Sequence, residues 1–321
     1  MKCKKCLLHS KVMGVVINRN GLCNYCNGTA QFGVLSNPEK LKQFSNKEEL
    51  FKEFLNSMNV ESGTGEYDVI LGLSGGKDSA YLLFYLLKHF HLRILTVTID
   101  NGFESDTAIE NIEKIKGITK INHIYIDSFK EIFKKGYRYL LTKKPETDSV
   151  KEICGFCTLL WHHLLISEAV KRNAPFVLIG YSPDQIENYF YEITKDEISA
   201  KGSIFNYVPE SSFSPDEKKK IIDLFGKSGL FPKILLPFHV FPDYSEKEVR
   251  ETIAREGFIP KRKSLSEQTN CRINWLMMYK DLNLLGYNPY LESFSYLIRN
   301  GKMKKSLWQL KFKIGNILIK S

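Results

Sequence analysis

Tyr67-Asp68-Val69-Ile70-Leu71-Gly72-Leu73-Ser74-Gly75-Gly76-Lys77-Asp78-Ser79 is the stretch whose reading decides the fold. Residues 67–73 are a short, apolar, β-branched run, which predicts a buried strand, and residues 80–90 beyond the glycine turn are apolar enough for a packed helix. A glycine turn between strand and helix aims backbone N–H groups and the helix N-terminus at one point, a cradle for a polyphosphate. It is not a Walker A loop, which needs one more residue between its glycines and Ser or Thr directly after the lysine; Asp78 stands there instead.

Outward from this unit the alternation repeats. Strands are expected at 93–99, 121–126 and 176–179, and helices around 107–116, 129–141 and 158–171. The fold class is therefore α/β, a Rossmann-like parallel sheet with helices on both faces, right-handed crossovers and ligands at the carboxyl ends of the strands. Before the sheet lie a polar stretch at 37–47, a helix around 48–58 and a loop at 61–65. Residues 195–232 are polar and irregular and read as an insertion over the sheet edge or the active site. Ser245 and Glu248 form a capping-box signature for a helix to about Glu256 that Gly257 ends. The rest is expected to be helical to about Ile314, broken at Pro289 and Gly301, as a C-terminal extension. The expected division is 1–30, 31–65, 66–260 and 261–321.

With 321 residues, 43% hydrophobic and 26% charged, the composition is that of a globular protein with a real core, too long for one small domain. No window reaches the ~18 uninterrupted apolar residues of a membrane span, and Met1-Lys2-Cys3-Lys4-Lys5-Cys6 lacks the apolar centre of a signal peptide. A cytoplasmic location without a membrane partner is the expectation. The net charge of +10 would draw an anionic partner such as RNA or a sugar nucleotide, although Lys302, Lys304, Lys305, Lys311, Lys313 and Lys320 would also suit a solvated helix face.

Seven cysteines, an odd number, argue against a disulfide framework in a reducing compartment. Cys3, Cys6, Cys23 and Cys26 read C-x2-C, sixteen residues, C-x2-C, the spacing of a tetrahedral zinc–thiolate knuckle, in a segment too poor in large apolar groups to fold unaided. Cys154 and Cys157 head a helix, and Cys271 follows after 113 intervening residues. Spacing leaves these three open as structural thiols, a redox pair with an unrelated cysteine, or ligands of one site. Trp161, Trp275 and Tyr279 are read as packing residues, and His162 and His163 are given no role.

The string Ser-Gly-Gly-Lys-Asp-Ser at 74–79 resembles the SGGxDS signature of the PP-loop ATP pyrophosphatases, the adenine nucleotide alpha-hydrolase-like superfamily, over roughly residues 68–256. The resemblance implies ATP and Mg2+ at a Rossmann-like sheet, with cleavage between the α and β phosphates and transfer of AMP to a carbonyl oxygen. It implies that Ser74, Gly75, Gly76, Asp78 and Ser79 hold the pyrophosphate portion, that Lys77 offsets its charge, and that Asp100, Asn101 and Gly102 contact adenosine. Gly180-Tyr181-Ser182-Pro183-Asp184-Gln185 resembles the start of a later family motif, with Tyr181, Gln185 and Asn188 where that motif has His, Asp and Glu. Asp184 and Glu187 remain for magnesium or for positioning, which makes Lys77, Asp78 and Asp184 the candidate catalytic residues.

Placement of the second cysteine group looks like that of the iron–sulfur-dependent tRNA thiolases of this superfamily, some of which carry an N-terminal four-cysteine zinc knuckle. Cys154, Cys157 and Cys271 would then hold three irons of a [4Fe-4S] cluster and leave the fourth open for sulfur from a donor, with tRNA or a small molecule as acceptor. Convergence on one cluster requires sulfur atoms within roughly 6 to 7 Å of one another. The chain's ends, including residues 286–290 and 295–302, are similar instead to the N-acetyl sugar amidotransferases of surface-polysaccharide synthesis. Those share the phosphate loop, activate a sugar substrate with ATP and take ammonia from a partner glutaminase. A third reading is a non-enzymatic nucleotide- and zinc-binding module.

Overall fold

The computed structural model describes residues 1–30, 46–58, 65–188, 204–226, 231–241, 244–264 and 270–320. Its centre is β1 (Val69–Gly72), buried along its whole length because strands lie on both sides of it. With β2 (Ile94–Ile99), β3 (Asn122–Ile126), β4 (Phe176–Ile179) and β5 (Lys233–Leu235) it makes a parallel sheet in the order β3-β2-β1-β4-β5. Continuous apolar runs in the central strands suit a sheet buried on both faces.

Side chains of β1 alternate between two cores, as the period of two in a strand requires. Ile70 joins Val97, Phe133, Phe156 and Leu165 on one face, where α4 (Lys130–Thr142) and α5 (Gly155–Lys171) pack. Val69 and Leu71 join Leu82, Leu86, Ile112 and Ile253 on the other, under α2 (Lys77–His89), α3 (Asp106–Thr119) and α8 (Glu246–Arg255), with α1 (Lys47–Met58) adding Phe54 and Met58. Such two-sided coverage is the Rossmann-like α/β arrangement read from the sequence.

The remaining helices among the described residues are α6 (Pro183–Asn188), α7 (Pro215–Phe225), α9 (Ile273–Leu284), α10 (Leu291–Arg299) and α11 (Lys305–Lys320). Breaks fall near Pro289 and Gly301 as expected, but α11 runs past Ile314. Within the segment expected to be an irregular insertion, the described residues form α7, capped by a Ser214/Glu217 capping box, and the edge strand β5. Three residues flanked by Pro232 and Pro237 are too short for a periodic signal. Residues 189–203 and 227–230 of that segment, the polar stretch 37–45 and the loop at 61–64 lie outside the described residues.

A π-helical turn, Val150–Cys154, leads straight into α5. By length and composition the stretch Val150–Lys171 is apolar enough to cross a membrane. Here Ile153, Phe156, Leu160 and Leu165 are completely buried in the protein core, so it is a central helix.

The N-terminal segment does not stand by itself. Cys3, Cys6, Leu8, Val12, Val15 and Cys23 share a third apolar cluster with Tyr287 and Leu291, and Lys305 Nζ donates to the carbonyls of Cys3 (3.1 Å) and Lys4 (2.7 Å).

Candidate functional site

The sequence places the phosphate loop where β1 ends, and backbone geometry fixes its shape. Gly75 adopts φ +73°, and a Cβ there would lie 2.3 Å from the carbonyl oxygen of Ala108, so this position admits only glycine. Gly180, just after β4, is equally tight: its Cβ would meet Ser79 Cα at 2.8 Å. Asn111 Nδ2 donates to Gly75 O (2.9 Å) and Thr98 Oγ1 to Leu73 O (2.5 Å), so α3 and β2 hold the loop's carbonyls, while the Ser74 and Gly76 N–H groups donate to the Ser79 (3.3 Å) and Ser74 (3.4 Å) hydroxyls. Ser74 and Ser79 link their hydroxyls at 3.2 Å across the turn. Lys77, Asp78 and Ser79, expected in the loop, form the first turn of α2.

Lys77 Nζ lies 2.7 Å from Asp78 Oδ2, and Tyr244 donates its hydroxyl to Asp78 Oδ1 at 2.5 Å. Burial, followed by the charge of Asp78, raises the Tyr244 phenol, which keeps it a donor. Asp184 faces the same space and pairs with Lys302 from the turn between α10 and α11. Glu187 and Asn188 have no described side chains. A cavity of about 840 Å3 is lined by Gly76, Lys77, Asp78 and Asp184, and on the C-terminal side by Trp275, Phe294 and Trp308. Trp161 packs against the sheet, whereas Trp275 and Tyr279 correct the expectation of packed aromatics, since more than half of each is exposed. Both histidines are structural: His162 Nε2 meets Tyr181 Oη at 2.9 Å and His163 Nδ1 meets Leu159 O at 2.8 Å.

Asp100, Asn101 and Gly102 end β2 in a turn whose parts face different ways. Burial would raise the Asp100 carboxyl, but hydrogen bonds from Glu104 and from Lys130 (2.7 Å) pull it down, while burial and the bond to Asp100 push Glu104 up to about 7. Asn101 turns to the thiols: its Nδ2 lies 4.0 Å from both Cys157 Sγ and Cys271 Sγ. Cys154 Sγ is 3.9 Å from Met277 Sδ, at the turn into the helix that carries Cys157. The structure thus brings residues 114 positions apart in the chain to one amide group. Burial keeps all three as thiols, with Cys157 pushed up to about 11 and Cys271 to about 12.

The connection between thiols and loop is short. Asn270, next to Cys271, places its Nδ2 3.4 Å from Ser74 Oγ, and the strand-like bridge of Cys271 to Glu104 fixes both. Tyr244, Asn270, Asn111 and Glu104 escaped the sequence reading, since each reaches the loop or the thiols through the fold and none stands in a motif.

At the N-terminus, the Sγ atoms of Cys3, Cys6, Cys23 and Cys26 all lie within 4.8 Å of one another, and Cys6 and Cys23 are 3.7 Å apart. Four thiolates about 2.3 Å from one ion span tetrahedron edges of roughly 3.8 Å, so the donor set fits a tetrahedral metal. Burial opposes charge on Cys3, yet N–H donors from Cys23, Cys6 and Lys5 bring it down to about 6. Arg299 Nη1 lies 3.9 Å from Cys6 Sγ, where it offsets thiolate charge.

No protein-family model matches the chain. It is 32% identical over 143 residues to an uncharacterized protein of Methanocaldococcus jannaschii, an alignment covering 42% of this chain and 48% of that protein. Over 131 residues it is 32% identical to the tRNA(Ile)-lysidine synthase of Bartonella quintana, covering 38% of this chain and 24% of the synthase. The chain thus spans less than half the length of these curated relatives. Among solved structures, the U34-tRNA thiolase NcsA of Methanococcus maripaludis, with its [4Fe-4S] cluster, aligns with 94% of this chain and 86% of its own at 20% identity and a TM-score of 0.40. These likenesses accord with the resemblance to the PP-loop superfamily read from residues 74–79.

Proposed function

We propose that the chain binds ATP at residues 74–79, transfers AMP to a carbonyl-type oxygen of its acceptor with release of pyrophosphate, and replaces that oxygen with sulfur. The observation that supports sulfur chemistry is the short path from Ser74 through Asn270 to Cys271, Asn101 and Cys157.

In this reading the backbone N–H groups of Gly75 and Gly76 and the N-terminus of α2 hold the pyrophosphate portion, where fixed dipoles stabilise charge as it develops on the leaving group. Lys77 would turn from Asp78 to a phosphate oxygen, and Asp78, with Asp184 once it parts from Lys302, would hold Mg2+. Tyr244 orients Asp78 throughout. Asp100, Asn101 and Gly102 border the adenosine end.

Cys154, Cys157 and Cys271 are the residues that would hold a [4Fe-4S] cluster, which when bound supplies an iron with an open position for sulfur. The chain's own part is to hold these half-buried groups as neutral thiols that would give up their protons to bind metal. Cys3, Cys6, Cys23 and Cys26 hold a structural zinc. A sulfur donor is then required, and the acceptor is a tRNA or a small molecule.

A second reading, amidation of a sugar substrate with ammonia from a partner glutaminase, draws support from Asn288 and Tyr290, which line the cavity and belong to the segment resembling sugar amidotransferases. Anaerobic purification followed by iron, sulfide and zinc analysis, alongside a pyrophosphate-release assay, separates the two. Sulfur transfer requires about four irons per chain. Iron-free protein that still releases pyrophosphate in the presence of ATP and acceptor moves the assignment to amidation.

A further inference from the structure

Helix α11 buries Trp308 against Phe294 and Phe312. Its other side is apolar too. Leu307 (50% exposed), Leu310 (56%), Ile314 (50%) and Ile317 (61%) recur at spacings of three, four and three, which places them within about 80° of one another on an α-helix. Lys311 and Lys313 fall just outside the two edges of this stripe, and Lys304 is exposed at the helix start. Between Lys305 and Lys320 the sequence contains no acidic residue; Lys305 is engaged on the Cys3 and Lys4 carbonyls and Lys311 lies 4.5 Å over the Trp308 ring, which leaves Lys304 and Lys313 as exposed cations beside the stripe.

We infer that α11 docks the protein on an anionic membrane surface, with the leucine and isoleucine stripe in the headgroup boundary and the exposed Lys304 and Lys313 on the lipid phosphates. Charge selects this occupant. A second copy laid along the stripe would bring lysine against lysine in either orientation, because both flanks carry the same sign. A bilayer with anionic headgroups meets both requirements, since acyl chains cover the stripe and phosphates sit where long lysine side chains reach outward. The lipid-facing side also borders the cavity described above, whose lining includes Ile314 and Leu318. This is surface attachment, distinct from the buried apolar stretch Val150–Lys171, and it goes against the expectation of no membrane partner.

The test uses the full chain and vesicles of an equal mixture of phosphatidylcholine and phosphatidylglycerol, with phosphatidylcholine alone as control. Co-sedimentation is expected with the mixed vesicles and about tenfold less with the control, falling further as salt screens the lysines. Ile317→Glu is expected to lower binding to mixed vesicles about tenfold, with the thermal melt and pyrophosphate release unchanged. Lys313→Glu gives a second measurement and should weaken binding several-fold. Absence of binding by the unmodified chain, or equal binding by Ile317→Glu, overturns the inference. A concentration-dependent dimer that Ile317→Glu dissolves, without vesicle binding, assigns the stripe to a second copy and also overturns it.

Discussion

At Gly75 a single hydrogen atom in place of a side chain decides whether the loop closes, because any Cβ would collide with Ala108 O on α3. Gly75→Ala should therefore lose both ATP-dependent pyrophosphate release and stability, by about 1 to 3 kcal/mol for forcing a positive φ and moving backbone. Lys77→Ala and Asp78→Ala differ in kind. Both side chains are polar, sit beside the cavity and contact each other and Tyr244, outside the apolar cores. Pyrophosphate release should fall at least a hundredfold in each while the melting temperature stays within a few degrees, since neither substitution opens a cavity in the core. Full turnover in either variant would remove ATP cleavage from this loop. Residues 74–79 were legible as a glycine turn between strand and helix because such a turn is contiguous in the chain. Asn270 and Tyr244 were not, since side chains that pack on such a turn arrive from any distance along the chain.

Elements were legible in proportion to the apolar surface they bury. Central strands β1, β2 and β4 announce themselves through continuous apolar runs, and α5 through its length. Edge strand β5 and the π turn at Val150–Cys154 carry little such signal, yet the turn sets where Cys154 points relative to Cys157. Strand β3 holds another feature hidden in the sequence. His123 donates or accepts at Thr96 Oγ1 (2.9 Å), and burial, aided by the charge of Lys116, lowers its pKa to about 4. Because the folded value lies below the 6.5 of the free side chain, the unfolded state takes up the proton first. Its contribution to stability is complete above pH 6.5 and is lost as pH falls toward 4. The melting temperature should fall over that window, and His123→Gln should flatten the fall. Parallel pH profiles for the two proteins would assign the acid sensitivity elsewhere.

Over the whole molecule, the two chain ends meet. The four-cysteine segment was legible as a metal site, since ligand spacing is local, but nothing local says what the folded knuckle rests on. Tyr287 and Leu291 complete its apolar cluster, Ser295 Oγ accepts from the Leu7 N–H at 3.2 Å, and Arg299 reaches Cys6 Sγ and lies 5.2 Å over the Tyr25 ring. Lys305 on α11 holds the carbonyls of Cys3 and Lys4. A metal held at the N-terminus would therefore supply folding energy to α10 and α11, which form one wall of the cavity beside residues 74–79. Cys23→Ser should take bound zinc from one per chain to none and lower the melting temperature by at least about 5 °C. Amide hydrogen exchange should rise in Leu291–Arg299 as well as in residues 1–30, while β1 and β2, buried in separate cores, stay protected. The distant effect is the discriminating one. A knuckle that folds as an independent bead would lose its zinc and its own protection and leave exchange in α10 unchanged, and that result would refute the shared core as a means of coupling the metal to the cavity wall.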